Sequence, residues 1–481
     1  MFTGAVDGLS TVLRVLVATA VGCVAGVAAT GTTGAFLLVL PAIAVPLVWP
    51  CVSLAGMLTA GLYKADPRVT VPGGFDLTLL FALSLVLVLL VEVLKSRNVL
   101  RRLWQERVFL ASWAIFLMIL SLGLTRTPSP EYGYAKALHF VVIGGLAVLV
   151  PLIWENRQTE LFYRVLFGLS LAMALDALSR MGEGRYHLTA FSSNYLGLAR
   201  QSGYGLLIGT LYLLPKQRTS MGRALVMILN VPLAFALLAA GGRGPVVSCL
   251  IALSYLFPYD AVLSRVATGQ LRIRRLAGAL LVLVLIGVLT VLIVVSPRGL
   301  FDVLRSRFSL ALGPDVGSST LTRLDYWKLA SSLFIQNPVM GVGTGGFSRW
   351  AVGSDAHEYP HNLFLEIASE LGIVGLASFL MVIVSALYAF RYVASTGDEQ
   401  SKESVRLVSV LALYALVNAC VSGDLNDNRM LFALLAILKR TGTDTLHEAG
   451  ARSRRVNPIS GPQGESVTRR EFQAKRGPRA S

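Results

Sequence analysis

The chain has 481 residues, 54% of them hydrophobic and only 15% charged, where a soluble domain carries about 25% charge. Its mean hydropathy of +0.65 and the clustering of its apolar residues into long blocks exclude a string of soluble domains. The net charge of +16 does not point to nucleic acid, because Lys and Arg sit in short segments between those blocks and in a terminal tail.

About 20 apolar residues make one membrane crossing. Residues 11–63 are expected to hold three spans, with borders blurred by Pro41, Pro46 and Pro50. The first of them, 11–30, reads as a retained helix rather than a cleaved signal, since many spans follow. Further spans are expected near 77–94, 108–124, 137–154, 161–178, 200–214, 224–240, 245–257, 277–296, 362–390, 407–422 and 430–438. The pieces at 245–257 and 430–438 are short for a full crossing. The fold class is therefore all-α, a polytopic membrane protein of about 12–14 transmembrane helices. Residues 1–178 form an N-terminal set of helices and 179–438 a membrane core. Residues 439–481 form a basic, disordered tail, which either lies against anionic lipid or serves only to solubilise.

Alternate short loops differ in charge. One set carries 17 Lys and Arg and the other 9, and the richer set is assigned to the cytoplasm. The tail falls on the same side. One long loop, 297–361, falls on the outer side. It contains a strongly helical stretch, 319–336, then the stop signal Asn337-Pro338 and the run Gly341-Val342-Gly343-Thr344-Gly345-Gly346-Phe347. An outer loop of this length is usually functional.

Residues with chemistry gather on one side. Arg185, Arg243, Arg323, His361, Asn362, Glu366, Glu370, Asp424 and Arg429 all fall outside the membrane or at outer helix ends. Proton-driven transport usually needs ionisable groups mid-membrane, so a lipid-linked sugar transporter or flippase is the weaker alternative. The turn Gly242-Arg243-Gly244 suits a diphosphate, because glycines admit backbone N–H groups to an anion and a guanidinium binds phosphate bidentately. On spacing alone, an interfacial turn with a snorkelling Arg is the simpler reading. His361, directly after Pro360, is placed to act as a general base, although a lone interfacial His is more often structural. Glu366 and Glu370 share a helix face and are either neutral or paired with loop arginines. The glycine run at 341–346 does not follow a strand and reads as a turn that packs the loop on the helices. No His pair has metal-ligand spacing, so no metal is expected. Cys23, Cys51, Cys249 and Cys420 lie in or beside apolar stretches and read as ordinary thiols.

Taken together, several of these residues resemble the O-antigen ligase and polymerase superfamily. The pattern is Arg323-xxx-Trp327, then Asn337-Pro338 and Gly341-x-Gly343-x-Gly345-Gly346-Phe347, then His361-Asn362 with Gly372-xx-Gly375 nine residues on. The turn at 242–244 is similar to that family's outer arginine turn. The resemblance implies a GT-C-like glycosyltransferase of the bacterial inner membrane with its active site on the periplasmic face. The implied donor is a glycan on undecaprenyl diphosphate, and neither nucleotide sugar nor metal or other cofactor is needed. Ligase members transfer the glycan to lipid A–core oligosaccharide in lipopolysaccharide biosynthesis. Polymerase members transfer it to another repeat unit. It also implies that Arg243 holds the diphosphate and that His361 activates the acceptor hydroxyl. Arg185 is the other outer arginine. Asn362 orients His361 or caps the helix, and Arg323 faces the diphosphate or anchors the loop.

Overall fold

The computed structural model describes residues 49–69, 76–95, 97–180, 188–256, 318–396 and 399–456. Every regular element among them is a helix. In chain order these are α1 (Pro50–Thr59), α2 (Leu77–Lys95), α3 (Arg97–Gln105) and α4 (Arg107–Leu122). Next comes α5 (Pro130–Ile153), which contains a π-turn at Phe140–Gly144, and then α6 (Asn156–Ser179). The following helices are α7 (Tyr195–Ile208), α8 (Ser220–Ala239) and α9 (Arg243–Ser254). The last are α10 (Ser318–Gln336), α11 (Phe347–Val352), α12 (Leu363–Thr396), α13 (Glu399–Ala419) and α14 (Arg429–Val456).

Six helices among the described residues are long and apolar enough to cross a membrane: Leu77–Leu94, Arg107–Thr125, Pro130–Ile153, Asn156–Ser179, Ser220–Ala239 and Leu363–Tyr388. The protein is thus an all-α polytopic membrane protein. The expected spans at 11–48 and 277–296, the first part of the 297–361 loop, and the tail beyond 456 lie outside the described residues.

Three expectations are corrected. The segment 430–438 is not a helix of its own, and residues 439–456 are not part of a disordered tail, because one helix, α14, runs from Arg429 to Val456. Its apolar stretch is short because Leu431–Leu438 is wrapped by protein, at no more than 3% exposure. The helix then continues with Lys439 beside buried Glu106 and Arg440 beside Asp444. The helical region beginning at 407 starts earlier, at Glu399, so polar turns precede its apolar part.

α12 packs along α4 and α14, α14 along α5 and α13, and α7 between α6 and α8. An aromatic cluster fixes the central contact. Trp113, Phe140 and Phe379 each lie 5.1–6.0 Å from the ring of Phe432, distances at which tilted aromatic pairs attract.

The bundle has two distinct ends. At one lies α3, with sequence RNVLRRLWQ, amphipathic and with Leu100 and Trp104 exposed. There Arg102 Nη1 donates to the Ile153 carbonyl at 2.8 Å, where α5 finishes. At the other end α5 begins, one rise of 24 residues away, about 36 Å at 1.5 Å per residue. The candidate site is built at this second end.

Candidate functional site

The site starts from a broken helix. α12 loses helical geometry at Gly372, where φ is 66° and ψ is −161°, a conformation that favours glycine. The break frees backbone groups, and the glycine run satisfies them. Val342 N–H donates to Ser369 O at 2.9 Å and Gly343 N–H to Glu370 O at 2.8 Å, while Ile373 N–H donates to Pro338 O at 2.7 Å. A Cβ on Gly341 would stand 2.3 Å from the Glu370 carbonyl carbon, and one on Gly372 would stand 2.3 Å from Val339 O. These glycines are therefore required by close approach. The run also reaches α4, where Thr344 Oγ1 donates to Leu120 O at 2.6 Å. The irregular backbone of residues 341–346 is buried, so protein encloses it.

The sequence just before α12 carries His361. Asn362 Oδ1 accepts the N–H groups of Phe364 at 3.0 Å and Leu365 at 3.1 Å. Asn362 is thus the helix cap, and its acceptor oxygen is not available for chemistry. With the cap in place, His361 takes a left-handed φ of 57°, a conformation that costs a non-glycine residue about 1–3 kcal/mol. Trp327 Nε1 donates to Pro360 O at 2.9 Å. The Tyr326 ring lies parallel to the imidazole at 6.5 Å, and Tyr359 meets its edge at 4.5 Å.

His361 faces a cavity of ≈ 300 Å³ lined also by Arg200, Arg429, Tyr359, Asn194, Gln201, Asn418 and Asp427. Three polar atoms here, Arg200 Nε, Asn418 Oδ1 and His361 Nδ1, are buried with no hydrogen-bond partner among the described residues. Such groups are costly unless a ligand or water satisfies them. Arg429 is anchored by donating Nε–H to Leu58 O at 3.3 Å. Gly423, with φ of 80°, lets the Arg200 guanidinium pass close over its backbone. Burial, then the charges of Arg323 and Arg200, press the His361 pKa down to about 4, so the imidazole is neutral near pH 7 with a lone pair to offer.

Beside the cavity lies a buried acidic cluster. Lys136 Nζ is 2.6 Å from Glu366 Oε1 and 2.6 Å from Glu370 Oε2, with all three side chains at 2% exposure or less. Asp424 accepts hydrogen bonds from Tyr132 Oη at 3.2 Å and from the Asp427 N–H at 2.8 Å. It also pairs with exposed His357 at 3.3 Å. That hydrogen bond raises the His357 pKa above the usual imidazole value. Burial works to raise Asp424, but the His357 hydrogen bond and the Lys136 charge hold it below the carboxylate range. Among the described residues no group of three His, Cys, Asp or Glu side chains is arranged to hold a metal ion.

Part of this site falls within a segment that matches a known family. Residues 228–380 match the O-antigen ligase family model, Wzy_C. The matched O-antigen ligase segment takes in the arginine turn, the glycine run, His361 and the broken α12. Arg200 and Arg429, which complete the cavity wall, lie outside it. A search of curated proteins gives no match.

Of the residues singled out from the sequence, His361 lines the cavity. Arg323 is half-buried on α10 and close enough to act on His361. Arg243 opens α9 with an exposed side chain and does not line the cavity. It sits near the cavity's rim, because Gly242 packs on Leu196 and Ala199, and Gly244 on Val421. Gly375 packs against Leu371. Arg185 lies outside the described residues. Glu366 and Glu370 pair with Lys136, not with loop arginines, because α5 brings its lysine directly against their shared face. Sequence reasoning placed Asp424 and Arg429 on the outer side without giving them a role, and it missed Arg200, Lys136 and His357 as site residues. The available signal for Arg200 was a lone cation inside the run Leu198-Ala199-Arg200-Gln201-Ser202-Gly203.

Proposed function

We propose that the protein is a membrane glycosyltransferase of the O-antigen ligase type. It moves a glycan from undecaprenyl diphosphate to a hydroxyl of lipid A–core oligosaccharide. The observation that carries this reading is the shared cavity. A neutral imidazole and two guanidiniums face one space, and buried polar atoms there lack partners among the described residues. The match of residues 228–380 supports the same reaction class.

In this reading Arg200 and Arg429 take the donor diphosphate, while Arg323 and Arg243 lie at its approach. The acceptor hydroxyl oxygen attacks the anomeric carbon. The bond from that carbon to the diphosphate oxygen breaks, and its electron pair leaves with undecaprenyl diphosphate. The hydroxyl proton passes to His361. The guanidiniums stabilise the charge that grows on the leaving group. A diphosphate leaving group carries its own activation, so no nucleotide is consumed. Direct displacement inverts the anomeric centre.

The site stands at the end of the bundle opposite α3, whose basic amphipathic sequence suits a cytoplasmic membrane surface. With the loop charges, this supports placing the site on the periplasmic face of the inner membrane.

The test is in vitro transfer with purified protein and undecaprenyl-diphosphate-linked glycan, offering lipid A–core and a second lipid-linked glycan as competing acceptors. Transfer to lipid A–core that is lost in His361→Ala and Arg200→Ala supports the ligase reading. Ladders on the lipid carrier would make the protein a repeat-unit polymerase with the same residues. Wild-type rates in both variants would overturn the site.

A further inference from the structure

The transfer step as written does not use the charge cluster next to the cavity, yet that cluster joins most of the elements around His361. Lys136 stands in the second turn of α5. Its ammonium holds Glu366 and Glu370, one and two turns into α12, at 2.6 Å each. The same carboxylates take further bonds. Glu366 Oε1 accepts the Leu425 N–H at 3.2 Å, and Glu370 Oε2 accepts the Gly345 N–H at 2.9 Å. The Lys136 carbonyl accepts from Asn426 Nδ2 at 3.2 Å. One lysine therefore ties together α5, the first turns of α12, the glycine run and the 420–428 loop.

A cluster of this kind is a poor device for stability. Taking ionisable groups out of water costs about as much as their attraction returns, and apolar side chains of the same volume often serve a fold as well. What the cluster supplies is geometry. α12 begins immediately after the residue that caps it, Asn362, and His361 precedes that cap. The position of α12 against α5 thus sets the position of the imidazole. The arginines have further anchors of their own, Arg200 in α7 and Arg429 in its bond to Leu58.

We propose that Lys136 is a positioning residue of the transfer reaction, seating His361 against the wall formed by Arg200 and Arg429. This rests on the reading of the cavity as the donor diphosphate site. A displacement of about 1 Å between reacting groups costs about 100-fold in rate, so a shift of α12 should lower turnover while leaving diphosphate binding in place.

The experiment uses the full chain in lipid nanodiscs with three readouts: inorganic pyrophosphate binding, turnover of the undecaprenyl-diphosphate-linked glycan, and the His361 signal in histidine-labelled NMR. The chain has five histidines, so the spectrum is small enough to assign. Lys136→Met removes the charge. Lys136→Arg keeps the charge that the two carboxylates need, so the fold persists, but the larger planar head cannot reproduce both contacts. The expected result in Lys136→Arg is full pyrophosphate stoichiometry and affinity within about threefold, turnover down by about 30-fold or more, and a displaced His361 resonance. A purely structural lysine would leave turnover per binding site and the His361 resonance as in wild type, and that result overturns the proposal. Failure of wild-type protein to bind pyrophosphate would instead overturn the cavity reading on which it rests.

Discussion

Trp327 on α10 donates its indole N–H to the carbonyl of Pro360, 2.9 Å away and one residue before His361. The bond spans two segments that meet only in the folded protein, and it holds the chain at the point where the imidazole turns into its left-handed conformation. Trp327→Phe keeps the ring and removes the donor. It is expected to cost about 1 kcal/mol of stability and about 10-fold in turnover, because His361 loses a support on one side. Thermal unfolding and the transfer assay measure the two effects separately. Unchanged turnover would show that the Trp327 bond is not needed to hold the histidine.

In the proposed reaction the acid limb of activity reports on His361. Its pKa stands near 4 in the folded protein, below the ordinary 6.5. Between these values the unfolded chain holds a proton that the folded one does not, so this group makes stability rise with pH across that window and fall as the medium is acidified. Donor binding changes the balance. A diphosphate on Arg200 neutralises one of the charges that oppose protonation, and the pKa rises. The midpoint of the acid limb in kcat/KM, which reads free enzyme, is therefore expected below that in kcat, which reads the donor complex. Coincident midpoints in the pH–rate profiles would mean that the arginines and His361 do not share the diphosphate.

The arginines should rank by position. Arg200 and Arg429 line the cavity and Arg243 lies at its rim. Calorimetric titration with pyrophosphate is expected to show losses of about 2–3 kcal/mol for Arg200→Ala or Arg429→Ala, the usual worth of hydrogen bonds to charged groups, and a smaller loss for Arg243→Ala. The reverse order would move the diphosphate out of the cavity to the 242–244 turn.

Gly372→Ala is expected to be the most damaging of the glycine substitutions in the broken helix. Its φ is positive, and the added Cβ would stand 2.3 Å from Val339 O, so backbone strain of about 1–3 kcal/mol adds to a clash that parts α12 from the glycine run. Gly353 has a similar φ of 74° with open space around it, so Gly353→Asn should be nearly neutral. Comparing the yield and thermal midpoint of folded protein for the two variants separates close approach from backbone conformation alone.

Much of the helix plan was legible because it rests on local pattern. The apolar blocks gave the spans, and Asn337-Pro338 marked the end of α10 at Gln336. The Pro360-His361-Asn362 junction could be read as a helix start with a candidate base. The cavity wall was not legible in the same way. Lys136 falls just before the span expected at 137–154, yet it lies inside α5 with partners more than 200 residues away. Arg200 and Arg429 carry no local signature of a ligand site, and only the packing of α7 and α14 brings them together. The tight 242–244 turn looked more like an anion site than either, because glycine-flanked arginine is a pattern that short-range reading can see.

The division of the cavity along the chain sets what a transplant can carry. A graft of residues 228–380 takes His361 and its supports but leaves Arg200, Arg429 and Lys136 in the host. In the proposed reaction such a chimera would take its proton acceptor from one parent and its anion-binding wall from the other. The host's flanking helices would then set how the diphosphate is gripped, and the graft would set how the proton is taken.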